Sequence, residues 1–268
     1  IGKATEPNVG VRIDGFDIRG GRASGVAGDY HTWRGAGIYN WGSAPVIANC
    51  TFYDNIAAVS GGAIANETNG TFNASAQIIN CVFYQNSANR VDDGNPIRGG
   101  GAIFNDMADP VIKFCTFVAN SVNGTPSGPD DLYGLVSSAI FNYNTSSALT
   151  IHSSIFWQNT PGCIETFCPA SNPSCSSPTV EETDITQLTD PQFDPLYSPP
   201  TFKLSLTSPF VDASTLNSPT YDIQGVPRPQ STAPDRGAYE LVKDPMVVAC
   251  LNISVELDDT GNITFPAS

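Results

Sequence analysis

Two short patterns recur along this chain in fixed order, and their recurrence limits the folds open to it more than any other feature. The first is small-small-small-Ile-x-Asn. It occurs as Gly35-Ala36-Gly37-Ile38-Tyr39-Asn40, Gly61-Gly62-Ala63-Ile64-Ala65-Asn66, Gly100-Gly101-Ala102-Ile103-Phe104-Asn105 and Ser137-Ser138-Ala139-Ile140-Phe141-Asn142. Each copy is followed by a second pattern: Asn49-Cys50-Thr51-Phe52-Tyr53-Asp54-Asn55, Asn80-Cys81-Val82-Phe83-Tyr84-Gln85-Asn86, Phe114-Cys115-Thr116-Phe117-Val118-Ala119-Asn120 and Ser153-Ser154-Ile155-Phe156-Trp157-Gln158-Asn159. A degenerate copy, Gly15-Phe16-Asp17-Ile18-Arg19-Gly20-Gly21, precedes them. Counted at Phe16, Cys50, Cys81, Cys115 and Ser154, the intervals are 34, 31, 34 and 39 residues. Short alternating runs punctuated by Gly, Asn and Pro, without a helical period, make the unit one turn of a strand-built solenoid.

Side-chain alternation assigns the faces. In Cys50-Thr51-Phe52-Tyr53 a period of two puts Cys50 and Phe52 inward and Thr51 and Tyr53 outward. With coils stacked in parallel register, Phe52, Phe83, Phe117 and Phe156 form an interior aromatic ladder continued by Ile18. Ile38, Ile64, Ile103 and Ile140 form an aliphatic one. Val82, Tyr84, Thr116 and Val118 are assigned outward, as are Ala63, Ala102 and Ala139.

Gly and Asn tolerate left-handed backbone at least cost. Gly15, Asn49 and Asn80 therefore mark one bend, which Phe114 and Ser153 are expected to open in later coils. Gly21, Asn55, Asn86, Asn120 and Asn159 mark a second, where the Asn side chains can hydrogen-bond along the axis. The repeat lapses into a Pro-, Ser- and Cys-rich excursion over 161–182, and 183–242 read as terminal coils and a cap over open strand edges. Residues 1–242 thus form one domain, and 243–268 a linker with the first strands of another β-module.

These units resemble the right-handed parallel β-helix repeats of large secreted bacterial surface proteins of the Bacteroidetes type, related in shape to pectate lyases. The end of the domain adds to the likeness. Asp190-Pro191-Gln192-Phe193, Ser208-Pro209-Phe210-Val211-Asp212-Ala213, Asp222-Ile223-Gln224-Gly225-Val226-Pro227-Arg228-Pro229 and Ala233-Pro234-Asp235-Arg236-Gly237-Ala238-Tyr239-Glu240 look like the closing segment of such domains. The tail Cys250–Asp258 resembles the first strand of an immunoglobulin-like module. The resemblance covers 11–242. It implies an all-β right-handed parallel β-helix within a long exported polypeptide, acting at the cell surface as a non-enzymatic scaffold or adhesin. Further domains of the same chain and a glycan or cell-surface ligand would be its partners. The alternatives on this fold are a polysaccharide lyase or glycoside hydrolase, or a carbohydrate-binding module without turnover. The start at Ile1, without initiator Met or leader, reads as a processed chain or fragment.

Charge narrows the partners. Twelve Lys and Arg against 26 Asp and Glu leave −14, which disfavours nucleic acid and anionic lipid. The sequence holds no apolar run of membrane-spanning length, so membrane insertion is not expected. No cofactor is required. Calcium is the cation that loop carboxylates Asp92, Asp93, Asp106 and Asp109 would suit, although their spacing matches no calcium loop. Tyr30, His31 and Trp33 form an aromatic loop cluster suited to stacking on a sugar ring. No residues are assigned to catalysis: His31 and His152 are the only histidines, and neither sits in a nucleophile triad. Cys50, Cys81 and Cys115 share one inward repeat position and read as packed thiols. Cys163, Cys168 and Cys175 crowd the excursion and are disulfide candidates in an oxidising compartment.

Overall fold

The repeat folds as a stack of coils: the first four each contribute one strand to each of four sheets, the fifth contributes to three of them and the sixth to the first sheet alone. The structure is a computed structural model that describes residues 11–26, 29–89, 99–123, 139–143, 149–167, 178–183, 187–195 and 201–242. The first sheet runs β1 (Arg12–Asp14), β5 (Val46–Ala48), β9 (Gln77–Ile79), β13 (Val111–Lys113), β17 (Thr150–His152), β20 (Thr179–Glu181). The second is β2 (Asp17–Arg19), β6 (Thr51–Tyr53), β10 (Val82–Tyr84), β14 (Thr116–Val118), β18 (Ile155–Trp157). The third is β3 (Arg22–Ala23), β7 (Ile56–Ala57), β11 (Ser87–Ala88), β15 (Ser121–Val122). The fourth is β4 (Ile38–Trp41), β8 (Ile64–Glu67), β12 (Ile103–Asp106), β16 (Ile140–Tyr143), β19 (Ile164–Phe167). Every named strand pair is parallel, and repeat equivalents face each other: Phe52 with Phe83, Phe83 with Phe117, Ile64 with Ile103. The chain is an all-β parallel solenoid.

The expected ladders fill its interior. Phe52, Phe83, Phe117 and Phe156 stack with centroids 4.8, 4.7 and 4.6 Å apart and planes within 5°. Strand spacing dictates this separation, so offset stacking adds about 0.5–1.5 kcal/mol per pair to the burial of each ring. The four Ile, with Ile47, Ile78, Ile112 and Ile151 from the first sheet, complete the same core.

Asparagine forms two axial ladders where one was expected. In the first, the Nδ2 of Asn55, Asn86 and Asn120 donate to the Oδ1 of the next Asn at 3.0, 3.0 and 2.9 Å, and Gln187 caps Asn159. The second joins Asn40, Asn66, Asn105 and Asn142 at 3.0, 2.9 and 2.7 Å and ends on the Thr166 hydroxyl. It is the Asn that closes each small-small-small-Ile-x-Asn copy.

The bends depart from expectation. At the first, Phe114 (φ 51°) and Ser153 (φ 46°) are as left-handed as Asn49 (φ 52°) and Asn80 (φ 51°), so the corner does not open. Neighbouring coils impose the turn through in-register bonds on both sides of it. At the second, the left-handed residue is the one before the Asn, or before Gly21 in the first coil: Gly20, Asp54, Gln85, Ala119 and Gln158. The Asn is there for its side chain. Ala63, Ala102 and Ala139 point inward, not outward. Two consecutive N–H groups, of Ala63 and Ile64, donate to the one carbonyl of Ala102, and this doubling breaks the alternation.

Residues 161–182 are not one excursion. Ile164–Phe167 pairs with β16 and Thr179–Glu181 with β17, so both belong to the stack. Cys163 lies in the core cluster rather than in a loop, because the Ile140 N–H donates to its carbonyl and it continues the Ala63–Ala102–Ala139 column. Its partners in the sequence reading, Cys168 and Cys175, lie outside the described residues, as does the 243–268 tail. Cys50, Cys81 and Cys115 are free thiols. Each donates to the carbonyl two residues before it, at 3.1, 3.3 and 3.3 Å, and the hydroxyls of Ser154 and Thr183 do the same at 2.9 and 3.0 Å. That shared bond explains the exchange of Cys for Ser or Thr. Burial pushes the Cys81 thiol well above its usual range.

The segment 201–242 lies along the side of the stack rather than across its end. Phe202 and Ala238 bury Val82 and Val118, and Leu204 and Phe210 bury Ile155, covering outward positions of the second sheet. The Ala238 N–H donates to Thr116 Oγ1 at 3.0 Å, and Gly237 sits so close that a Cβ would stand 2.7 Å from Thr116 Oγ1 and Ile155 Cδ1. A charged clasp closes the segment on itself. Arg228 donates to Glu240 Oε2 (3.2 Å) and to the carbonyls of Asp235 and Gly237 (both 2.8 Å), with its Cζ 4.9 Å from the Phe114 ring. Asp222 and Asp235 accept backbone N–H bonds on both oxygens.

Candidate functional site

On the outer face of the fourth sheet, buried polar atoms of two oppositely charged residues, Arg34 and Asp106, gather without hydrogen-bond partners. Parallel register places Trp41, Glu67, Asp106 and Tyr143 in one outward row across β4, β8, β12 and β16. Tyr39, Ala65, Phe104 and Phe141 form the row beside it. A sheet with its core on one face would normally present polar residues to water here. This one presents aromatics and two carboxylates on adjacent strands.

A short 3-10 helix, Tyr30–Trp33, arches over the face, with Asp29 Oδ1 accepting from the His31 N–H to start it. The next residue, Arg34, turns into the protein: its side chain is 1% exposed and its Nη1 donates to Glu67 Oε1 at 2.7 Å. Glu67 Oε2 accepts from the Tyr39 hydroxyl at 2.8 Å, and His31 Nδ1 bonds that same hydroxyl. The guanidinium lies between two rings, 5.0 Å from the Phe104 centroid and 5.3 Å from that of Tyr30. Tyr30 packs on His31 at 3.9 Å, and His31 lies 5.3 Å from Trp41.

Three polar atoms are left over. Arg34 Nε, Arg34 Nη2 and Asp106 Oδ1 are buried and have no hydrogen-bond partner. Burial, reinforced by Glu67 and opposed by Arg34, raises the Asp106 carboxyl to about 6. Burial and the Glu67 charge likewise push the Tyr39 and Tyr30 hydroxyls up. Unsatisfied buried donors and acceptors cost about 1–3 kcal/mol each, more when charged. The arrangement is therefore costly unless something else meets those atoms.

Of the sequence candidates, the structure brings Tyr30, His31 and Asp106 together. Trp33 is elsewhere: its indole covers Gly25, where a Cβ would stand 2.1 Å from the ring, and its N–H donates to the Val26 carbonyl at 3.1 Å. Asp106 ends a strand rather than sitting in a loop, Asp109 follows it, and Asp92 and Asp93 lie outside the described residues. Among the described residues no group of three His, Cys, Asp or Glu is placed to hold a metal ion. Arg34, Glu67, Tyr39 and Trp41 were missed. The available signal was register: Trp41, Glu67 and Asp106 each follow the repeat Asn directly, so stacking alone puts them side by side.

Comparison of the chain with protein-family models, with curated proteins and with solved structures gives no match in any of the three. Among the described residues no helix is long and apolar enough to cross a membrane. The functional reading therefore rests on the site itself.

Proposed function

We propose that this chain is the shaft of an extracellular surface protein, a closed right-handed parallel β-helix, and that the face carrying Arg34, Glu67 and Asp106 is its contact point for a saccharide. One observation carries the binding role: buried unpaired donors on Arg34 and a buried unpaired acceptor on Asp106, beneath the half-exposed ring of Tyr30. Adjacent hydroxyls on a sugar offer an acceptor and a donor at once, and an apolar sugar face stacks on aromatic rings. The continuous ladders suit a stiff support. Several weak contacts along a multidomain chain would supply avidity.

Binding of the purified chain to an array of saccharides tests this. Tyr30→Ala is expected to abolish the signal and Trp33→Ala to leave it, because only Tyr30 faces Arg34. Absence of binding to every saccharide, or loss with Trp33→Ala alone, overturns the reading.

A second reading is favoured by Glu67 and Asp106 themselves. Two carboxylates on neighbouring strands, one held by Arg34 and Tyr39 and the other raised by burial, match the division between an ionised group and a general acid in glycoside hydrolysis. Release of reducing sugar that Asp106→Asn eliminates would establish turnover. The binding reading expects none.

A further inference from the structure

We propose that the saccharide taken by this site carries a free ammonium group beside its hydroxyls, as a hexosamine does. This rests on the reading of the face as a saccharide site and names the ligand class within it.

The charges at the site do not balance. Glu67 is fully engaged, Oε1 on Arg34 and Oε2 on Tyr39, with His31 Nδ1 3.7 Å from Oε2. The one positive charge of Arg34 is thereby committed to Glu67. Asp106 is the cross-strand neighbour of Glu67 and repels it, yet it forms no ion pair with any described residue, and its Oδ1 is buried and unpartnered. The groups that face Asp106 are Glu67 on β8, Arg34 and Tyr30 from the arch, and its register neighbour Tyr143 on β16. With both carboxylates ionised and His31 neutral, the site is one positive charge short.

Each simpler ligand leaves something unmet. A neutral sugar satisfies Arg34 Nε and Nη2 but leaves Asp106 uncompensated. An acidic sugar adds a third negative charge beside two carboxylates. A calcium ion needs six to eight oxygens, and only two carboxylates stand here. An ammonium donates to Asp106 Oδ1 as a charge-assisted bond, while vicinal hydroxyls accept from Arg34. The half-exposed Tyr30, near enough to Asp106 to feel its charge, adds an aromatic ring of the kind that attracts cations.

The test compares two oligosaccharides of one backbone, a chitosan hexamer with free amines and its fully N-acetylated counterpart, by calorimetry at pH 6.5 and physiological salt. Wild type, Asp106→Asn and Glu181→Gln are measured, the last removing an exposed acid on the first sheet. Circular dichroism checks that each variant is folded. The expected result is wild-type preference for the amine form of about tenfold or more, reduced to near parity in Asp106→Asn and kept in Glu181→Gln. Equal affinity for the two oligomers overturns the ammonium assignment while leaving the saccharide site standing. An equal loss in Asp106→Asn and Glu181→Gln marks general attraction to an acidic protein and also overturns it. Failure of both oligomers to bind removes the saccharide reading along with the inference.

Discussion

Removing one amide from the middle of an axial ladder should cost this protein far more than a single polar contact. Asn86 is fully buried and makes four side-chain hydrogen bonds. Its Oδ1 accepts from the Asn55 N–H (3.2 Å) and Asn55 Nδ2 (3.0 Å); its Nδ2 donates to the Phe52 carbonyl (2.9 Å) and Asn120 Oδ1 (3.0 Å). At about 1 kcal/mol net per bond, Asn86→Ala loses about 4 kcal/mol, and partners left bare in the interior push the figure up. Asn86→Asp sharpens the argument. It keeps the shape and the acceptor but sets carboxylate oxygen against the Phe52 and Asn120 oxygens, so in the fold the introduced group is driven toward its neutral form. Its folded pKa is raised above the unfolded value of about 3.9, and a carboxyl raised in this way loses stability as pH climbs from the unfolded value through the folded one. Urea unfolding followed by circular dichroism at pH 4 and pH 7 reads both effects, with Asn89→Ala at an exposed position as control. A loss under about 1 kcal/mol for Asn86→Ala, or an Asn86→Asp deficit no larger at pH 7 than at pH 4, would refute the view that the ladder bears stability.

Other tests follow from particular contacts. Gly15→Asn should shift stability by less than about 0.5 kcal/mol, since nothing stands within 4 Å of a Cβ there and Asn49 and Asn80 already adopt this bend. Gly100→Ala should lose more than about 2 kcal/mol in the same assay, because its Cβ would stand 2.1 Å from the Ile103 oxygen at φ 70°. Arg228→Ala should cost about 3–5 kcal/mol by stranding Glu240, and limited proteolysis should then cut within 201–242 while the coils stay protected. Carbon-detected NMR should find Asp106 titrating near pH 6. Its carboxyl binds a proton more readily folded than unfolded, so its contribution to stability is greatest at low pH and declines as pH rises toward 7; Asp106→Asn should remove that part of the pH dependence.

The stack, its register and its interior Phe and Ile ladders were legible because a strand-built repeat brings its equivalents together. Other features were hidden by context. Phe114, Ser153 and Ala119 have no intrinsic preference for left-handed backbone, and their turns are imposed by the coils on either side. The coil starting at Cys163-Ile164 went unseen because Thr166 stands where earlier copies have Asn, although a hydroxyl closes the ladder equally well. The lateral packing of 201–242 was unreadable in alternation alone: Val82 and Val118 occupy outward positions and become core once Phe202 and Ala238 cover them. At the candidate site, Tyr30, His31 and Asp106 could be picked out one at a time. Their partner Arg34 could not, since nothing local distinguishes a buried arginine from a surface one.

Both asparagine columns hand their hydrogen bonds on in the same sense, each Nδ2 reaching the oxygen of the coil that follows it in the chain. The side-chain dipoles therefore add instead of cancelling, and the shaft has a head and a tail. Its leading coil shows this at Asn40, whose Oδ1 is buried with nothing donating to it, while the trailing coils finish on the hydroxyl of Thr166 and the amide of Gln187. The two ends of each column are therefore chemically unlike.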